Sequence, residues 1–120
     1  MAFNPNRFTK EVSVSFETGE QATLDIYFGP VPVKIRKLRS HVTKALADTD
    51  AGTITAKNSA GSAMASGTLT HAASAALNDK QSAVPTTNNA VAADSYITLL
   101  TAKTTAGGRA IVTVEYELTH

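Results

Sequence analysis

The sequence predicts an all-β chain: an antiparallel β-sandwich, jelly-roll-like, of about eight short strands. Three observations predict it. Apolar and polar residues alternate in several runs, as in "EVSVSFE", where Val12, Val14 and Phe16 share one side and Glu11, Ser13, Ser15 and Glu17 the other. Turn-forming residues punctuate these runs at intervals of roughly 8 to 12 residues. The composition leans on Ala, Thr, Val and Ser with only 18% charged residues, which suits half-buried pleated surfaces better than a helical bundle.

Residues 1–10 read as an extended N-terminal arm and residues 11–120 as a single β-sandwich domain, a size that supports one modest core. In the arm, Phe3 and Phe8 stand among turn formers, outside the strand alternation, where an aromatic ring docks on a partner or on the chain's own core. The first strand is "EVSVSFE". After a turn at Gly19, "ATLDIYF" alternates again through Leu24, Ile26 and Phe28, so the two predict a β-hairpin.

Pro30 and Pro32 then interrupt, since neither can donate to a central ladder. A third strand starts at Val33, with Val33 and Ile35 on one side and Lys34 and Arg36 on the other. Leu38 breaks that parity, and a bulge near Lys37 would return it to the apolar side. The same break is expected to move Lys37 and Arg39 off the face that carries Lys34 and Arg36, with acidic residues such as Asp25, Glu115 or Glu117 pairing one of the two sets.

"HVTKALAD" carries both helical and strand spacing and reads as extended. Gly52, Gly61 and Gly67 divide the next stretch into two or three short strands around Ile54, Met64 and Leu69. Ala72–Leu77 admits one helical turn, and "NDKQSAVPTTNNAVAAD" reads as a long loop of the kind that is functional or covers a partner. "SYITLLTA" and "RAIVTVEYEL" close the chain as a second hairpin, turned by Gly107 and Gly108.

Chemistry is mostly excluded. A net charge of +1 argues against a dedicated nucleic-acid binder despite the basic run Lys34, Arg36, Lys37, Arg39, and no aromatic lies between Val31 and Leu46 to stack on bases. Without cysteine there is no disulfide, thiolate metal site or thiol nucleophile. No apolar run reaches the roughly 18 residues of a membrane span, and the N-terminus lacks a signal-peptide core, so a soluble chain without its own export signal is expected.

His41, His71 and His120 have no paired spacing and read as solvated. "DTDAG" resembles the opening of a calcium loop, but Gly52 and Ser59 stand where an oxygen ligand and a carboxylate are needed, which leaves a polar turn. "GSAMASG" puts Met64, not a serine, at the centre of a would-be nucleophile elbow. "TAGGRA" lacks the lysine of a phosphate-binding loop. No catalytic residue, metal site or cofactor is therefore expected.

Two stretches, "DTDAGTITAKNSAGSAMASGTLTHAAS" and "AVAADSYITLLTAKTTAGGRAIVTVEYEL", resemble small virion proteins of tailed bacteriophages, especially capsid decoration (cement) proteins and related β-sandwich modules of heads and fibres. The resemblance is one of strand and turn pattern over residues 31–118. It implies a jelly-roll-like structural protein, made in the host cytoplasm, that forms a homotrimer and binds the major capsid protein lattice on the capsid exterior, with neither nucleic acid nor membrane as partner. The residues themselves nominate Phe3, Arg7, Phe8, Arg36, Lys37 and Arg39 for the interface. A fibre or tail module reading host glycans is the alternative, weakened by the lack of Trp. A nucleic-acid-binding barrel using Arg36, Lys37 and Arg39 ranks below both.

Overall fold

A computed structural model describes residues 6–17, 22–47 and 49–119. Among these are nine strands and no helix: β1 (Arg7–Ser15), β2 (Ala22–Tyr27), β3 (Val33–Lys44), β4 (Gly52–Asn58), β5 (Ala63–His71), β6 (Lys80–Ala83), β7 (Ala90–Val91), β8 (Tyr96–Ala102) and β9 (Arg109–Leu118). They form two antiparallel sheets. One runs β1-β9-β3-β6, with β7 also pairing β3, and the other β2-β8-β4-β5. Because β6 and β7 pair with separate stretches of β3, together they occupy one strand position, which yields the eight-position double sheet of a jelly roll.

The core is the space between the sheets. From the first sheet, Val14, Ile35, Leu38, Val42, Val112 and Val114 point inward; from the second, Ile26, Ile54, Leu69, Ile97 and Leu99 meet them. Each such side chain, fully buried, contributes about 1.5–3 kcal/mol relative to exposure. The opposite sides of the same strands are wet, which is why alternation was visible in the sequence.

Both expected hairpins are absent. β1 pairs β9 and β2 pairs β8, so β1 and β2 belong to different sheets; β8 and β9 are likewise divided, and residues 103–108 cross from one sheet to the other. An arch between sheets and a hairpin within one present the same alternating pattern, because alternation fixes the buried side of a strand and not its neighbour. Gly107 (φ 137°) and Gly108 (φ 120°) adopt the positive φ expected of them, though in an arch. A Cβ on Gly108 would also lie 2.9 Å from Leu46 side-chain atoms.

Two further differences concern boundaries and loops. Residues 7–10, expected in an arm, are strand: β1 begins at Arg7, in register with Glu117. Residues 1–5 of the arm, Phe3 included, lie outside the described residues. The long loop is an edge cover, since it holds β6 and β7 and its middle bonds to β5 through Thr86 N–H to the Ala65 carbonyl at 2.9 Å. Buried Asn89 donates from Nδ2 to the Ile35 carbonyl at 2.9 Å, fastening the same segment to β3.

Candidate interaction face

The bulge in β3 falls where the parity break places it. Pairing with β9 shifts between Ile35 and Lys37, so Ile35 aligns with Tyr116 and Lys37 with Glu115. One extra residue restores Leu38 to the core beside Val33 and Ile35, all buried. The consequence for the basic residues is the reverse of the expectation. Lys34, in register with Glu117, and Lys37, in register with Glu115, stand on one outer face, joined by Arg39 and His41 farther along the strand.

Neighbouring strands extend this face. β1 adds Arg7 and Glu11, β6 adds Lys80 opposite His41, β9 adds Glu115, Glu117 and Arg109, and Lys44 stands opposite Arg109. Of the chain's 11 Lys and Arg residues, only Lys10, Lys57 and Lys103 lie elsewhere. Arg7 Nε and Arg36 Nε approach Glu117 Oε2 at 3.6 and 3.3 Å, and Arg39 Nη2 lies 3.0 Å from Glu115 Oε2. Yet Arg36 Nε and Glu115 Oε2, both covered, are not in hydrogen-bond alignment. Loose, partly exposed pairs of this kind contribute about 0–1 kcal/mol and exchange partners readily. At the far end Lys44 Nζ lies 2.8 Å from Glu17 Oε1, and this contact lowers the Glu17 pKa.

Of the nominated residues, Arg7, Arg36, Lys37 and Arg39 thus come together on one face. Phe8 does not join them. It lies on the core side of β1, its ring 5.9 Å from that of Tyr116, which in turn meets Phe28 edge-on at 4.9 Å; Phe8 keeps 43% exposure.

The outer face of the second sheet is different in kind. Thr23, Thr53, Thr55, Thr68, Thr70 and Thr98 dominate it, with Asp25 and Lys57 as the charges on its strands. Thr55 and Thr68 hydroxyls lie 3.3 Å apart across strands, and Thr98 Oγ1 donates to Asp25 at 2.8 Å. At one end Tyr27 and Tyr96 are cross-strand neighbours, 54% and 37% exposed. Tyr27 donates its hydroxyl to Asp94 at 2.8 Å, which raises its pKa.

One polar cluster had no signal in the sequence. Ser40 Oγ lies 2.5 Å from His71 Nε2, and His71 Nδ1 lies 2.8 Å from Asp79 Oδ2. The connectivity is that of a nucleophile, base and orienting acid. Burial denies it a substrate: Ser40 is 3% exposed and His71 0%, both on the core side of their strands. His71, expected in solvent, is instead the middle of a bridge from β3 to β5 that ends beside β6. Its hydrogen bond to Asp79 lowers the pKa of that carboxyl.

The calcium-like "DTDAG" turn also has work in the core. Buried Lys103 donates from Nζ to the Asp50 carbonyl at 2.6 Å and to its Oδ1 at 3.0 Å. Thr104 and Thr105 donate backbone N–H groups to the same carboxylate at 2.6 and 3.1 Å. Asp48 lies outside the described residues.

No protein-family model and no curated protein matches the sequence. The fold has solved counterparts. A chain of the acid-stable capsid structure of Helicobacter pylori bacteriophage KHP30 superposes with a TM-score of 0.61 at 9% identity, covering 93% of this chain and 87% of that one. A chain of the cyanophage Pam1 capsid asymmetric unit gives 0.56 at 16% identity, over 99% and 89% of the two chains. The crystal structure of PirA gives 0.50 at 11% identity, over 88% and 92%. These likenesses establish the jelly-roll-like sandwich over nearly the whole chain.

Proposed function

We propose that this chain is a non-enzymatic structural protein of a bacteriophage virion, which decorates the capsid exterior by binding the major capsid protein lattice, as a homotrimer. The observation that carries the reading is the near-full-length likeness of its fold to chains of two phage capsid structures. The outer face of the first sheet suits that role: it is mixed in charge, with ion pairs loose enough to be exchanged for contacts with another protein. Ligation that favours only the assembled lattice stabilises it by mass action, and many copies multiply a weak contact.

Sedimentation tests the reading. The purified chain is expected to run at three times its 12.5 kDa mass and to pellet with expanded capsids of its phage stripped of the chain. A monomer that stays in the supernatant overturns it. A second reading, a fibre or attachment module that binds host glycans, is favoured by the exposed Tyr27 and Tyr96 pair beside Asp25 and Asp94. Glycan binding lost on Tyr96→Ala, with no capsid pelleting, would select it.

A further inference from the structure

We propose that Lys37, Arg39 and His41 of β3, with Lys80 of β6, form the binding site for an extended acidic segment of the protein on which this chain docks. The inference rests on the decoration reading and names the partner's chemistry at the face described above.

Geometry supplies the first argument. Lys37, Arg39 and His41 are alternate residues of one strand, so their side chains leave the same face at steps of roughly 6.6 Å. Lys80 stands beside His41 and Ser82 beside Arg39 on β6, while Thr113 of β9 flanks Arg39 on the other side. Together these six residues line most of a shallow depression of about 570 Å³ whose lining contains no carboxylate.

Charge supplies the second. Lys37, His41 and Lys80 make no ion pair and no side-chain hydrogen bond among the described residues. Arg39 is engaged with Glu115, and its side chain is 57% exposed. The depression therefore offers Lys37, His41 and Lys80 without an ion pair among the described residues and Arg39 with one loose pair, ringed by the hydroxyls of Ser82 and Thr113. Carboxylates are the matching acceptors.

The spacing makes the ligand specific. In an extended peptide alternate side chains also recur at roughly 6.6 Å. A segment lying along β3 with Asp or Glu at every second position would bring one carboxylate to each basic group in turn.

Nucleic acid fits less well. No Phe, Tyr or Trp side chain lines the depression for a base to stack on.

The test uses fluorescence anisotropy with the full chain and two labelled probes, an alternating Glu-Thr octapeptide and an oligothymidylate. The wild type is expected to bind the peptide in low salt. Lys37→Glu combined with Lys80→Glu is expected to weaken that binding at least about tenfold, equivalent to about 1.4 kcal/mol, and Lys57→Glu on the opposite sheet to leave it unchanged. Lys37→Ala with Lys80→Ala, a gentler change, should weaken it in the same direction. Peptide binding that is absent, or equal in wild type and both double variants, overturns the proposal. Tighter binding of the oligothymidylate, lost in the double variants, overturns it in favour of a nucleic-acid site.

Capsid pelleting separates this from the decoration reading. If the wild type pellets and the double-reversal variant pellets equally, the strip is not the contact although the chain still decorates. If the peptide binds as expected and nothing pellets, the strip stands and the decoration reading falls.

Discussion

Asp50 uses both carboxylate oxygens and its own carbonyl to hold the crossing between β8 and β9. Without it the buried ammonium of Lys103 would lose its counter-charge. Hydrogen bonds from Lys103 first, and from the N–H groups of Thr104 and Thr105, depress the Asp50 pKa from 3.8 to about 2. A carboxyl with a lowered folded pKa stabilises the fold above its unfolded pKa and loses that contribution as pH falls through the folded one. Asp79, lowered by His71, acts in the same direction. Thermal unfolding followed by circular dichroism should therefore show Asp50→Asn melting below the wild type at pH 7. The gap should close as pH falls from about 4 to about 2. A gap independent of pH would mean that the carboxylate charge is not what holds the arch.

Among the elements, β3 is the most informative. At 12 residues it is the longest strand, it pairs with β9, β6 and β7, and through Ser40 it also reaches the other sheet. Ser40→Ala leaves His71 Nε2 buried and unpartnered, so a loss of about 1–3 kcal/mol is expected in urea unfolding. A change within error would show that the bridge is incidental to the sandwich. The bulge of β3 was legible in the sequence because Leu38 sits on the wrong parity, and a single apolar residue out of step has few remedies.

Strand partners were less legible. Val112, Val114 and Tyr116 announce an inward side but say nothing of whether β8 or β1 lies beside them. The Ser40, His71, Asp79 bridge was not legible at all: its members are separated by 31 and 8 residues and are brought together only by packing of the two sheets. The expected division of Lys34 and Arg36 from Lys37 and Arg39 does not hold, because the bulge corrects the register of the strand and does not rotate its outer residues onto another face.

At the edge of the first sheet, β1 is nine residues long and among the described residues pairs only with β9. A long free edge invites pairing with other chains. Lys10 guards it: this residue lies on the core side of the strand, in register with Val114, with its ammonium 5.7 Å from the Phe28 ring. An inward-facing charge on an edge strand is costly to cover, which disfavours unplanned strand addition.

For the molecule as a whole, the two broad surfaces have different chemistry. One carries most of the basic residues with Glu11, Glu115 and Glu117; the other is a threonine field with an exposed tyrosine pair at one end. The sandwich is thus two-sided in its chemistry, charged on one broad surface and nearly neutral on the other. The position of β9 has a further consequence, in time. It lies between β1 and β3, so the first sheet has no central strand until β9 is in place. β1 pairs with a partner about a hundred residues farther along the chain. The native sandwich therefore forms through non-local pairing, which slows folding to milliseconds or seconds. Stopped-flow refolding from urea should fall in that range, and refolding in microseconds would contradict it.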